Sequence, residues 1–363
     1  MSKCFALLLV LVFLMASCLI APLPANAKPK TLVVPDDYPT IAAAVGNATD
    51  GDTILVKKGT YEEKTLEISK TLSLIGENAS ETTMNLHPPY NVTTIFTQTF
   101  TDYANPITIK ANNVEISGFT ITSNGGEISV TGNRTQIIDN TVSTGLSVSG
   151  SYNTIAGNSI LPLLTLENAN SNTISNNTLV SLILGYDYHP CSNNVISGNE
   201  IRGPDSFGIY VKAGSNNIFY DNYIADFEGT GGENSGYGVV FSRTNMSENN
   251  TFYHNNFINN KGTVAFKDGE FVISNFWDNG SEGNYWDDYN GTDSNRDGIG
   301  DTPYIINGDN IDNYPLMFPY DIENDTVVLP PPEPFPITLV IATSVIIAVV
   351  GLGLLVYFKK RKR

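Results

Sequence analysis

Through the middle of the chain, apolar residues fall in pairs spaced by two: Ile128/Val130, Leu146/Val148, Leu164/Leu166 and Leu182/Leu184, at steps of 18 residues. The series continues at Ile209/Val211, Val239/Phe241 and Val264/Phe266 with longer steps. Behind each pair comes an Asn-x-Ile type segment, with Ile137, Ile155, Ile174, Ile196, Ile218 and Phe252 as its apolar position. A further apolar residue closes each unit, at Ile121, Val142, Ile160, Leu179, Ile201, Ile224 and Ile258. Short alternating segments bounded by Gly, Asn or Ser predict three strands per unit with tight corners between them. A unit of about 20 residues is too short for a strand–helix–strand crossover. It fits one coil of a parallel β-helix, with coils stacked about 4.8 Å apart and aliphatic side chains filling the interior.

The same asparagine-rich phrase recurs as "SYNTIAGNSI", "NSNTISNNTL" and "SNNVISGNEI". Asparagine tolerates left-handed backbone at a corner, and its amide pairs with backbone or with the asparagine one coil away. The repetition therefore predicts a structural ladder rather than a binding code. Ahead of the repeats, Pro39, Ile41, Ala44 and Val45 predict a short amphipathic helix, and Asp50-Gly51-Asp52 a turn into a strand at Thr53–Val56. Such a helix would plug the open end of the coil stack.

The Pro-Thr-Ile-x-x-Ala-Val helix, "DGDTILVKKGTYEE", "KTLSLIGEN" and the asparagine-rich coils together resemble right-handed β-helix proteins of the pectin-lyase-like superfamily. More narrowly they resemble NosD-type proteins, which are described as handling periplasmic copper and include many archaeal surface proteins. The resemblance covers about Leu32 to Tyr320. It implies an all-β, right-handed parallel β-helix; it says far less about activity.

The ends of the chain change the setting. Cys4 to Ala21 is apolar behind Lys3, and Ala25-Asn26-Ala27 reads as a cleavage site, so residues 1–27 predict a signal peptide. A lipoprotein box at Cys18 is the alternative, poorly matched by Met15-Ala16-Ser17. Ile337 to Phe358 is 22 residues without a charge, followed by Lys359-Lys360-Arg361-Lys362-Arg363. That predicts one transmembrane helix (337–358) with a basic cytoplasmic tail (359–363) and the body outside. Between them lie the expected β-helix domain (28–275), a C-terminal cap (276–320) and a proline-rich linker (321–336).

Outside the expected leader and tail, 14 basic residues face 37 acidic ones, about −23, which excludes nucleic acid as a partner and suits divalent cations. Cys4 and Cys18 leave with the leader, so Cys191 has no partner for an internal disulfide. Ten Asn-x-Ser/Thr sequons permit glycosylation.

Chemistry is expected at three places. Asp293, Asn295, Asp297 and Asp301 occupy positions 1, 3, 5 and 9 of an EF-hand-type calcium loop, with Gly298 at 6 and the Ile299 carbonyl at 7. The loop resembles those of dockerins and thrombospondin type 3 repeats. Tyr304 stands where the bidentate acid belongs, leaving Asp309 or Asp312 to supply it. A Ca2+ there would be structural, folding a cap with Trp286 and Tyr285 as apolar cover.

The longest insertions cluster in adjacent coils and would wall a groove over Tyr210 and Lys212. Tyr186, Tyr188, Phe207, Tyr237, Phe227 and Asp187 supply the rings and hydrogen-bonding acid of a carbohydrate site. For a lyase or glycoside hydrolase, the enzymatic alternative, Asp205, Asp226, Glu233 and Lys212 are the catalytic candidates. Copper handling is the third reading: His87, His189 and His254 lie far apart, and only His189 has a thiol nearby, Cys191. The expected function is a surface-anchored protein that binds or organises polysaccharide or envelope material.

Overall fold

The computed structural model describes residues 28–95, 98–186, 189–203, 207–229, 235–242, 246–266 and 273–329. Among these, three long parallel sheets run the length of the molecule, two of ten strands and one of nine. One coil shows the plan: Thr154–Ala156 lies in the first sheet, Ser159–Ile160 in the second and Leu164–Leu166 in the third. Each strand pairs in parallel with its equivalent one coil on, so Ile155 sits over Ile174, Ile160 over Leu179 and Leu164 over Leu182. The sequence period thus becomes a parallel β-helix. Stacked aliphatic columns fill the interior, each fully buried side chain worth about 1.5–3 kcal/mol.

At two positions the inward residue differs from the expected one. Phe219, not Ile218, and Phe257, not Ile258, point inward, because the inward residue is the second after the buried asparagine, here Asn217 and Asn255.

Asparagine forms two ladders, not one. Asn153, Asn172, Asn194, Asn217, Asn250, Asn275 and Asn310 stack at the corner entering the first sheet. Each rung's Oδ1 accepts the backbone N–H of the rung before it. Asn140, Asn158, Asn177, Asn199, Asn222, Asn255, Asn284 and finally Asp312 do the same where the chain leaves that sheet. The ladder asparagines do not carry the left-handed backbone themselves. That task falls to the residue before each, such as Tyr152, Ser171 and Asn193 on one corner and Gly157, Asn176 and Asp221 on the other. Turning the chain and satisfying buried backbone are therefore separate jobs on neighbouring residues.

Both ends are closed. The helix Ile41–Asn47 buries Ile41, Ala44 and Val45, and Thr40 Oγ1 accepts the Ala43 N–H. The buried Glu63 carboxylate accepts the Ile41 N–H at 2.7 Å, and Lys70 Nζ donates to the Gly46 and Ala48 carbonyls.

Towards the C-terminus the interior turns aromatic. Phe219 stacks on Phe252, Phe252 on Trp277, and Phe257 on Trp286, which in turn stacks on Tyr304. Each ladder ends under an indole: Trp277 Nε1 donates to Asn310 Oδ1 and Trp286 Nε1 to Asp312 Oδ2. Trp277 takes the covering role expected of Tyr285. On the two-residue strand Tyr285–Trp286 successive side chains face opposite ways, and only Trp286 is inward. The ladders run on through Asn284 and Asp312, so stack and cap share one hydrogen-bond network. A hairpin, Tyr90–Ile95 against Gln98–Tyr103, is an addition the periodicity did not announce.

Candidate functional site

The outer face of the third sheet changes character along its length. Successive coils present Thr108, Ser129, Ser147 and Thr165, then Ile183, Tyr210, Val240 and Ala265. Ile183, Tyr210 and Val240 form a second buried cluster outside the coil, covered by Phe207 and Tyr237. Tyr210 does face outward as expected, but at 5% exposure it is no open groove floor. The Phe207 ring lies edge-on to it at 5.2 Å and excludes water.

The rim is open to solvent at Tyr186. Tyr186 is 44% exposed, and its strand end turns back on His189 through paired backbone hydrogen bonds. Lys212 Nζ lies 4.0 Å from the centre of the Tyr186 ring and 5.3 Å from that of Tyr210, a cation–π stack shared between two coils.

Two members of the expected groove go elsewhere. Phe227 is fully buried in the coil interior, so no ligand reaches its ring. Asp226 has left-handed backbone and looks over the second sheet. There its carboxylate meets Arg202 Nη1 at 2.8 Å and Asn259 Nδ2 at 3.2 Å. It is the partner of a surface arginine that also lies over Tyr223. Asp187, Tyr188, Asp205 and Glu233 lie outside the described residues. Glu127 was missed by the sequence reading: burial, and then the charge of Glu167, push its carboxyl above the ordinary range.

The acidic loop of the cap is folded around its own backbone. Asp293 Oδ1 accepts the Arg296 and Asp297 N–H groups and Oδ2 that of Gly298, while Asp297 Oδ1 accepts the Ile299 N–H. Asp301 Oδ2 takes the Ser294 N–H and hydroxyl and the Thr292 hydroxyl, which holds that carboxyl below the ordinary range. The Asp293 and Asp297 carboxylates thus cap the backbone of the turn, and Asp301 is turned to Ser294. Asp312 is no spare ligand, because it is buried as the last rung of a ladder; Asp309 keeps an exposed side chain.

Cys191 and His189 do not form a pair. The Cys191 thiol points into the core, where burial pushes it up, and lies 3.4 Å from the Ala169 N–H; His189 is exposed. His189 belongs to the bridge with Tyr186, and the strand that carries Cys191 begins only after Pro190.

A family model described as "Periplasmic copper-binding protein (NosD)" matches residues 45–229 and 164–291. Among curated proteins, the "Probable ABC transporter binding protein NosD" of Pseudomonas aeruginosa (strain PAO1) is 31% identical over 133 residues, 35% of this chain and 29% of that protein. The protein of the same name from Stutzerimonas stutzeri is 30% identical over 137 residues, 36% of this chain and 29% of that one. The matched region thus spans less than a third of the length of these relatives. Among solved structures, an alginate lyase from Paenibacillus sp. str. FPU-7 is similar at a TM-score of 0.45 and 11% identity, covering 70% of this chain and 97% of that one. The pectin methylesterase PemA from Erwinia chrysanthemi is similar at 0.37 and 14%, covering 66% and 81%.

Proposed function

The chain belongs to the NosD family, and from that premise we propose that it is a non-catalytic β-helix that binds or organises carbohydrate or envelope material outside the cytoplasm. The observation that carries the reading is the Lys212–Tyr186 stack. An exposed ring, stiffened by a cation and set beside inserted loops on a rigid sheet, is the platform on which a sugar ring packs. Asp226, engaged by Arg202 on another face, does not serve that platform as an acid or base.

In this reading residues 337–358 hold the protein at the membrane. They lie outside the described residues, among which no helix is long and apolar enough to cross one. The loop Asp293–Asp301 takes a structural Ca2+ through Asp293, Asn295, Asp297 and the Ile299 carbonyl, with Asp301 swinging from Ser294 to join them.

The test is retention of the full-length protein on neutral and acidic polysaccharides, with and without Ca2+, while the length of the polymer is followed. Retention without shortening is expected, and Tyr186→Ala with Lys212→Ala should weaken it about tenfold, the value of a desolvated cation–π platform. Shortening of the polymer would replace this reading with the lyase or hydrolase one. Absence of retention on every polymer would remove the carbohydrate reading.

A further inference from the structure

At the corner between the first and second sheets, register places Asp221 and His254 one above the other. Tyr220 pairs with Tyr253, and the next residue on each strand is the left-handed one that precedes a ladder asparagine. His254 is 8% exposed. Its Nε2 lies 2.7 Å from Glu282 Oε2, and its Nδ1 lies 3.5 Å from Asp221 Oδ1, a buried oxygen with no hydrogen-bond partner.

The segment after the cap closes over this pair. Tyr320 is pinned by a reciprocal pair of bonds to the Asn256 amide, and its ring stacks on the His254 imidazole at 3.9 Å. The Tyr320 hydroxyl donates to Asp325 Oδ1 at 2.9 Å, which brings the Asp325 carboxylate to the same spot. One ligand atom from each of Asp221, His254 and Asp325 lies within 4.8 Å of the others.

We infer that Asp221, His254 and Asp325 form a binding site for a divalent transition ion of the Zn2+ or Cu2+ class. With Nε2–H donated to Glu282, Nδ1 presents its lone pair to a carboxylate oxygen that also has nothing to accept. Two acceptors facing each other out of water need a cation between them. The 3.5 Å separation is at the limit for a direct N–H···O bond. A metal fits better. Ligand bonds of about 2.0–2.2 Å at tetrahedral angles hold their donor atoms about 3.4 Å apart.

Glu282 is the positioning residue, a carboxylate that fixes the tautomer of a ligating histidine from behind. A neutral imidazole with two carboxylates selects a borderline ion over Ca2+, and a fourth position stays open on the side of the exposed Asp325. The site is independent of the carbohydrate platform, which lies on the third sheet. It is also distinct from Cys191 and His189.

Metal-stripped, untagged full-length protein, titrated with Zn2+ and separately with Cu2+ against a chromophoric chelator, should take up a single tight equivalent of either. Electron paramagnetic resonance of the Cu2+ form should show coupling to one imidazole nitrogen. Asp325→Asn alters an exposed side chain outside the coils and should weaken binding about tenfold or more. Glu282→Gln should do so by about 10- to 100-fold, and His189→Asn not at all. Absence of stoichiometric uptake would overturn the site. So would affinity that survives His254→Asn in a protein of unchanged Tm, or displacement of the ion by millimolar Ca2+.

Discussion

Asn177→Ala is expected to lower the unfolding free energy by about 3–5 kcal/mol. The side chain serves three coils. Its Oδ1 accepts from the backbone N–H and the Nδ2 of Asn158, and its Nδ2 donates to the carbonyls of Ile155 and Ser175 and to Asn199 Oδ1. Alanine leaves several of these groups buried without a partner, at roughly 1–3 kcal/mol for each group that cannot relax. The adjacent Asn176 provides the control. It holds left-handed backbone at φ 55°, so Asn176→Gly should change stability by no more than about 1 kcal/mol. Equal losses in urea denaturation of the two variants would show that the ladder contributes nothing beyond the turn.

The last rung predicts a pH dependence. Every interior ladder asparagine donates as well as accepts, but beyond Asp312 there is no further rung to receive a donor. Its Oδ2 accepts from the Asn284 N–H and Trp286 Nε1–H, and its Oδ1 from the Tyr314 N–H. An acceptor on both oxygens is what this end requires, which explains a carboxylate in place of the amide. The cost is burial, which pushes the Asp312 pKa up to about 7 against the pull of those three donors.

Between about pH 4 and pH 7 the folded chain therefore keeps a proton that the unfolded chain has released. The stability linked to this group is full below about pH 4 and declines as pH rises to about 7, by up to about 4 kcal/mol. Asp312→Asn removes the titration and sets an amide N–H against that of Tyr314, a fixed loss. Relative to the wild type, the variant should gain roughly 2–4 kcal/mol between pH 4 and pH 7.5 in denaturant titrations. A difference that stays constant with pH would mean that Asp312 is ionised throughout.

How far each site was legible follows from where its information lay. The rim pair Tyr186 and Lys212 was readable because insertions interrupt the period beside them. The fate of Phe227 was not: an aromatic residue in a long insertion reads as exposed, and only the path of that insertion returns it to the core. His254 lies far from His87 and His189 along the sequence. Aligning the units on the residue before each ladder asparagine places it over Asp221, 33 positions earlier, and that signal was present in the sequence.

The sequence by itself determined the coil: its period, its three strands, its aliphatic interior, its asparagine corners and its helical plug. These depend on local geometry repeated at fixed spacing, so one coil predicts the next. Tertiary structure alone decided which of two adjacent asparagines turns the chain and which feeds a ladder, and that the outer face of the third sheet is sealed over Tyr210. It also decided that residues 320–325 fold back upon His254 and Asp221. These outcomes depend on contacts between segments that share no period. For them spacing along the chain carries no information, and only the path of the backbone brings the groups together.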